Sequence, residues 1–244
     1  MRIKYKQPYW LKFQWDISEH HDNQYVTEFD KEENEDLNGF LLETNYIINC
    51  EFRTKSNYKR DEISMIFGKP GKNIGLSYNS TSNVLAFEFW TNTEPENTFC
   101  MVCFPNVTAK EIENGIVVSI VRNGNEFTVY KNFEKSNNLV FDGNLIDDYK
   151  QPGFYLGCSF PSNEHNRQYY GEVEMTHFSI MTKNSNIENA KELYESEPHT
   201  LVTKNYYDDI LCLFDFNTIN NLGIVYDESK NCNFLERVPK EYIK

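Results

Sequence analysis

The stretch from residue 116 to 130 narrows the fold more than any other. Two β-branched runs, Ile116-Val-Val-Ser-Ile-Val-Arg122 and Glu126-Phe-Thr-Val-Tyr130, flank Asn123-Gly124-Asn125. An Asn-Gly between such runs folds the chain back as a tight antiparallel hairpin, because both residues tolerate the positive φ of a primed turn. Similar short runs recur along the chain. Tyr9 to Asp16 puts Tyr9, Leu11, Phe13 and Trp15 on one face and Lys12, Gln14 and Asp16 on the other, a period of two. Tyr46–Arg53, Ile63–Phe67, Ile74–Tyr78, Val84–Trp90, Phe154–Phe160, Glu172–Met181, Leu211–Phe216 and Gly223–Tyr226 follow the same plan, ending at Gly, Asn, Ser or Pro. Composition agrees: alanine occurs only at Ala86, Ala109 and Ala190, while 18 Phe and 16 Tyr supply bulk for pleated faces. A helical bundle is excluded. One surface helix is predicted over Ile187–Ser196, with Ser185 and Glu188 at capping-box spacing and Ile187, Ala190 and Tyr194 as its apolar stripe. Pro198 limits its extension. About a dozen strands with one short helix predict two packed antiparallel sheets. No linker or internal repeat interrupts residues 1–244, so one domain is expected.

The formal charge of −13 opposes a role built on nucleic-acid phosphates or anionic lipid headgroups. No run approaches the ~20 apolar residues of a membrane span. The N-terminus, Met1-Arg-Ile-Lys-Tyr-Lys-Gln-Pro, lacks a signal-peptide core, which predicts an intracellular protein or a piece of a longer chain. The six cysteines show no disulfide rhythm. Cys100-Met-Val-Cys103 has a metal or redox spacing, but on a strand its two thiols point to opposite faces.

The order of these segments resembles the laminin-G-like, concanavalin-A-like lectin/glucanase jelly rolls. Asp22-Asn-Gln-Tyr-Val26 resembles the opening strand of that family, and Tyr46–Arg53 its next strand, with Phe52 in place of the common Trp. Ile63–Phe67, Ile74–Tyr78 and Val84–Trp90 resemble the following meander. Gly115 to Asn132 is similar to the family's long hairpin, and Tyr169-Tyr-Gly-Glu-Val173 to its "F-x-G-x-I" strand. Leu211 to Asn217 and Val225 to Asn233 look like "L-x-x-Y-W-K-F-D" and "V-x-D-x-S-G-N-x-N". The resemblance spans residues 20 to 238 and implies a two-sheet antiparallel jelly-roll sandwich. The last two segments usually precede the domain, whereas here they close the chain. The sheet is therefore expected to close from that end, giving Tyr9–Trp15 an edge partner; a second, truncated repeat is the alternative.

The resemblance also implies chemistry. Relatives that cleave glycans carry E-x-D-x-x-E on a strand. Glu28-Phe-Asp30-Lys-Glu-Glu33 has that spacing, but it runs into the charged stretch Lys31 to Asp36, the mark of a solvated loop. His20 and His21 have metal-ligand chemistry, yet adjacent histidines rarely face one ion. Many relatives hold calcium through loop carboxylates and Asn side chains, which would fall here to Asp22, Asn23, Asp227 and Asn231. Asp227-x-Ser-x-Asn is equally the pattern of an Asx-type turn. A sugar needs an aromatic face ringed by hydrogen-bonding side chains. Trp90 with Asn92, and Arg167 with Tyr169 and Tyr170, place aromatics beside polar residues; packing into a sheet face is the competing role for each ring. The sequence thus predicts a non-catalytic carbohydrate-binding domain with an oligo- or polysaccharide partner, working beside other domains of a longer chain. A glycan-cleaving enzyme using Glu28, Asp30 and Glu33, or a protein-interaction domain, is the alternative.

Overall fold

Alternating burial organises the chain into strands. In a computed structural model, the residues described are 11–13, 43–54, 63–68, 74–93, 96–146, 155–159, 169–170, 173–183, 186–196, 198–216, 225–231 and 234–235. Elements in the first half are β1 (Leu11–Phe13), β2 (Asn45–Thr54), β3 (Ile63–Gly68), β4 (Ile74–Asn79), β5 (Val84–Thr93), β6 (Glu96–Phe104) and α1 (Ala109–Asn114). They are followed by β7 (Ile116–Asn123), β8 (Glu126–Lys131), β9 (Glu134–Val140), β10 (Asn144–Leu145), β11 (Tyr155–Leu156), β12 (Cys158–Ser159) and β13 (Tyr169–Tyr170). The last are β14 (Val173–Thr182), α2 (Ile187–Glu195), β15 (Ile210–Asp215), β16 (Val225–Tyr226) and β17 (Phe234–Leu235).

Two antiparallel sheets form a jelly-roll sandwich. The seven-stranded sheet runs β14-β2-β7-β8-β9, with β1 and β15 both on the far edge of β14. The six-stranded sheet is built on β5-β4-β3-β11, with β6 along the other side of β5 and β10 beyond the end of β4. Alternation decides what faces inward. Tyr46, Ile48, Cys50 and Phe52 of β2 and Val118 and Ile120 of β7 meet Leu85, Phe87 and Phe89 of β5 in one core cluster. Phe127 sits at its centre, 4.7 Å from Phe89 and 4.9 Å from Phe87 between ring centroids. Each buried Phe contributes about 1.5–3 kcal/mol of transfer free energy, so rings carried by sequence-distant strands hold the sheets together. At one end of this core the buried Arg122 guanidinium donates to the Gly124 and Glu43 carbonyls and lies over the Tyr46, Phe127 and Phe141 rings. The hairpin expected at Asn123–Asn125 is present, with Gly124 at φ +59°.

The outer face of the seven-stranded sheet is covered over β2, β14 and β15, while β9 stays largely exposed. Ala190 and Leu193 of α2, with Leu201 and Tyr206 after it, pack on Ile47, Met181 and Leu213 in a second apolar cluster. The helix begins one residue later than Ser185 would place it: Asn186 is the N-cap, its side chain accepting from the Asn189 N–H. The stripe is likewise shifted, since Ala190 and Leu193 are the buried pair while the Tyr194 ring meets His177 edge-on. Sequence reading missed the six-residue α1, although Thr108 and Glu111 form a complete capping box. It also misplaced the edge pairing. β1 and β15 do not pair with each other; they lie end to end along β14, opposite Val173–Met175 and His177–Met181. A ten-residue strand is long enough to seat both.

Candidate functional site

Of the three exposed large apolar side chains among the described residues, Phe99 and Met101 lie together on β6 of the six-stranded sheet, and Val140 lies on β9 of the other. The arrangement follows from register. Because Leu85, Phe87 and Phe89 point into the core, Ala86, Glu88, Trp90 and Asn92 point out. β6 pairs so that Met101 lies opposite Glu88, Phe99 opposite Trp90 and Asn97 opposite Asn92. Directly opposed residues project from the same face. The Trp90 and Phe99 rings stand 5.3 Å apart at 57°, and Phe99 and Met101 are each 46% exposed.

On the other side of β5, β10 brings Asn144 opposite Asn92, while Leu145 turns into the core. Three exposed amides, Asn97, Asn92 and Asn144, therefore form a row across three strands beside the aromatic pair. Gly143 makes that approach possible. Its φ is +80°, and a Cβ there would stand 2.4 Å from the Asn92 carbonyl oxygen. The Ile146 N–H completes the attachment by donating to the Trp90 carbonyl at 3.1 Å. Behind the rings the half-buried Glu88 carboxylate accepts from the Ser77 hydroxyl at 2.7 Å. Burial pushes its pKa up, partly offset by that hydrogen bond. Cys103 shares this outer face, opposite Ala86, whereas Cys100 packs against the core; burial raises the pKa of both thiols.

The structure brings Trp90 and Asn92 of the candidate ligand set together. Tyr169 and Tyr170 form β13, which pairs with β12 and runs beside β3, two strands from β5 in the same sheet. Arg167, Asp22, Asn23, His20, His21, Glu28, Asp30 and Glu33 lie outside the described residues. Phe99, Asn97 and Asn144 escaped the sequence reading. The Thr98–Val102 stretch signals Phe99, since apolar residues at consecutive positions put an aromatic on an outer face. Nothing local signals Asn144, whose place depends on β10 reaching β5.

Asp227 and Asn231 fasten the chain end to the seven-stranded sheet. Asp227 Oδ1 accepts from the Leu213 and Ser229 N–H groups, each at 2.8 Å, and Oδ2 accepts from the Ser229 hydroxyl at 2.7 Å. Asn231 Nδ2 donates to the Ile210 and Leu211 carbonyls at 3.0 and 2.8 Å. Hydrogens aimed at both carboxylate oxygens, and an amide N–H2 turned toward the strand, make this segment an Asx-type turn. Among the described residues, no three His, Cys, Asp or Glu side chains group as a metal site, and no helix is long and apolar enough to cross a membrane.

No protein-family model matches the chain, and neither does any curated protein sequence. The likeness is to solved structures. A proposed carbohydrate-binding protein from Bacteroides ovatus aligns at a TM-score of 0.54 and 11% identity, over 80% of this chain and 54% of its own. The chain thus spans about half of that protein. The CBM40 domain of a Ruminococcus gnavus sialidase, solved with α2,3-sialyllactose, gives a TM-score of 0.48 at 11% identity, covering 68% of this chain and 90% of that one. The binding domain of botulinum neurotoxin DC, solved with SialylT, gives 0.47 at 13%, covering 76% and 41%. At such identities the Bacteroides ovatus match establishes a shared β-sandwich fold and nothing finer.

Proposed function

We propose that this chain is a non-catalytic carbohydrate-binding module of laminin-G-like jelly-roll type, serving a larger glycan-related protein. One observation carries the reading: the paired Trp90 and Phe99 rings lie beside the amide row Asn97–Asn92–Asn144 on an exposed sheet face. A pyranose has an apolar face of C–H groups and an edge of hydroxyls. Aromatic rings bury the first, and amides, each both donor and acceptor, match the second. The description of the Bacteroides ovatus protein as carbohydrate-binding agrees with this.

Losing either ring removes about 1–2 kcal/mol of contact, a roughly five- to thirtyfold rise in Kd. Trp90→Ala and Phe99→Ala are therefore expected to weaken binding on a glycan array and in calorimetry that much, with an unchanged circular dichroism spectrum. An array without a binder, or two variants that bind as the parent does, would overturn the reading.

A further inference from the structure

The six-stranded sheet is devoid of positive charge in its strands. β3, β4, β5, β6, β10 and β11 contain no Lys, Arg or His, whereas Lys12, Arg53, Arg122, Lys131 and Lys135 all lie in strands of the seven-stranded sheet. Around the amide row the charge is negative. Glu88 shares the outer face with Trp90, Glu96 precedes Asn97 in β6, and the exposed Asp142 adjoins Gly143. In sequence the two segments 84–104 and 141–148 further hold Glu94, Asp147 and Asp148, so they carry six acidic residues and no basic one.

From this we infer that the surface selects uncharged, hydroxyl-rich glycans and discriminates against chains bearing sialic or uronic acid. The inference rests on the carbohydrate-binding reading above. Three amides offer a hydroxyl both a donor and an acceptor, but a carboxylate accepts only, so half of each amide goes unused. A carboxylate leaving water also calls for a cation or several convergent N–H groups, and the strands of this face supply the Glu88 carboxylate and no cation. Repulsion from charges within a Debye length, ~8 Å at physiological ionic strength, adds to that penalty.

The test is an array of glucose- and galactose-based oligosaccharides paired with the same chains ending in sialic or uronic acid, read at low and high salt. Neutral chains are expected to bind about tenfold or more tightly than their acidic partners at low salt, the gap narrowing as salt screens the repulsion. In Glu96→Lys/Asp142→Lys the gap should narrow further at low salt. Acidic glycans binding equally well or better would overturn the inference while leaving the carbohydrate-binding reading intact. An array with no binder at all would overturn both.

Discussion

Asp227 is a polar residue on which the stability of the β15 edge depends. The residue is 9% exposed, and its carboxylate accepts from two backbone amides and from the Ser229 hydroxyl. The Leu213 N–H belongs to β15 and points away from β14, so Asp227 serves the edge that the ladder leaves open. The Glu228 N–H returns to the Leu213 carbonyl at 2.8 Å, which extends the sheet by one bridge. In Asp227→Ala both amides stay buried without their acceptor, at about 1–3 kcal/mol each, and loss of the charged partner brings the total to ~3–5 kcal/mol. For a chain of this size that is on the order of a 10 °C fall in Tm. Asp227→Asn keeps an oxygen for both amides, and the Ser229 hydroxyl can turn to accept from the new amide, so a loss of about 1 kcal/mol is expected. Thermal and urea unfolding, each run with calcium and with EDTA, provides the measurement. A clasp predicts the same losses in both buffers. If Asp227→Ala stayed within about 1 kcal/mol of the parent, the hydrogen-bond reasoning would fail. Were calcium to raise the Tm of the parent but not of Asp227→Ala, the carboxylate would be a metal ligand.

Two other perturbations separate backbone from side-chain effects. Gly143→Ala forces a Cβ to 2.4 Å from the Asn92 carbonyl oxygen at φ +80°, while Gly124→Ala, at φ +59°, meets nothing within 4 Å. Both incur the ~1–2 kcal/mol left-handed penalty, but only Gly143→Ala should also displace β10 and weaken glycan binding; equal effects on binding would refute the packing argument. Glu88→Gln tests the buried carboxylate. Burial raises the folded-state pKa of Glu88 above its usual 4.5, so its ionised form opposes folding. That opposition is absent below the unfolded pKa, grows as pH rises through the folded value and persists above it. Glu88→Gln, which keeps an acceptor for Ser77, should therefore raise Tm at neutral pH and flatten its fall between acid and neutral conditions. A lower Tm at pH 7 would contradict this account.

Most strands were legible in the sequence because alternation is a local property; β9, mostly exposed and without apolar alternation, was not. Leu85, Phe87 and Phe89 are apolar at every second position, so their inward course, and the outward course of Trp90 and Asn92, follow from β5 alone. The Asn-Gly hairpin and the Asx-type pattern at Asp227 were legible for the same reason, since their hydrogen bonds and positive φ angles involve neighbours in the chain. The cap of α2 was legible to within one residue, since Asn186 and Ser185 are both good N-cap types. Pairing across the sheet is another matter. That β14 lies against β2, that β1 and β15 share one edge of β14, and that β10 reaches β5 all join residues far apart in sequence, for which the local pattern carries no partner label. Single residues such as Trp90 and Asn92 could be picked out as candidates from the sequence. Phe99, Asn97 and Asn144 joined them only through register, because a cross-strand neighbour is set by which strands pair and at what offset. The packing of α2 over β2, β14 and β15, and the exposure of Phe99 and Met101 at β6, were likewise settled by tertiary structure, since both sheets read alike as alternating strands.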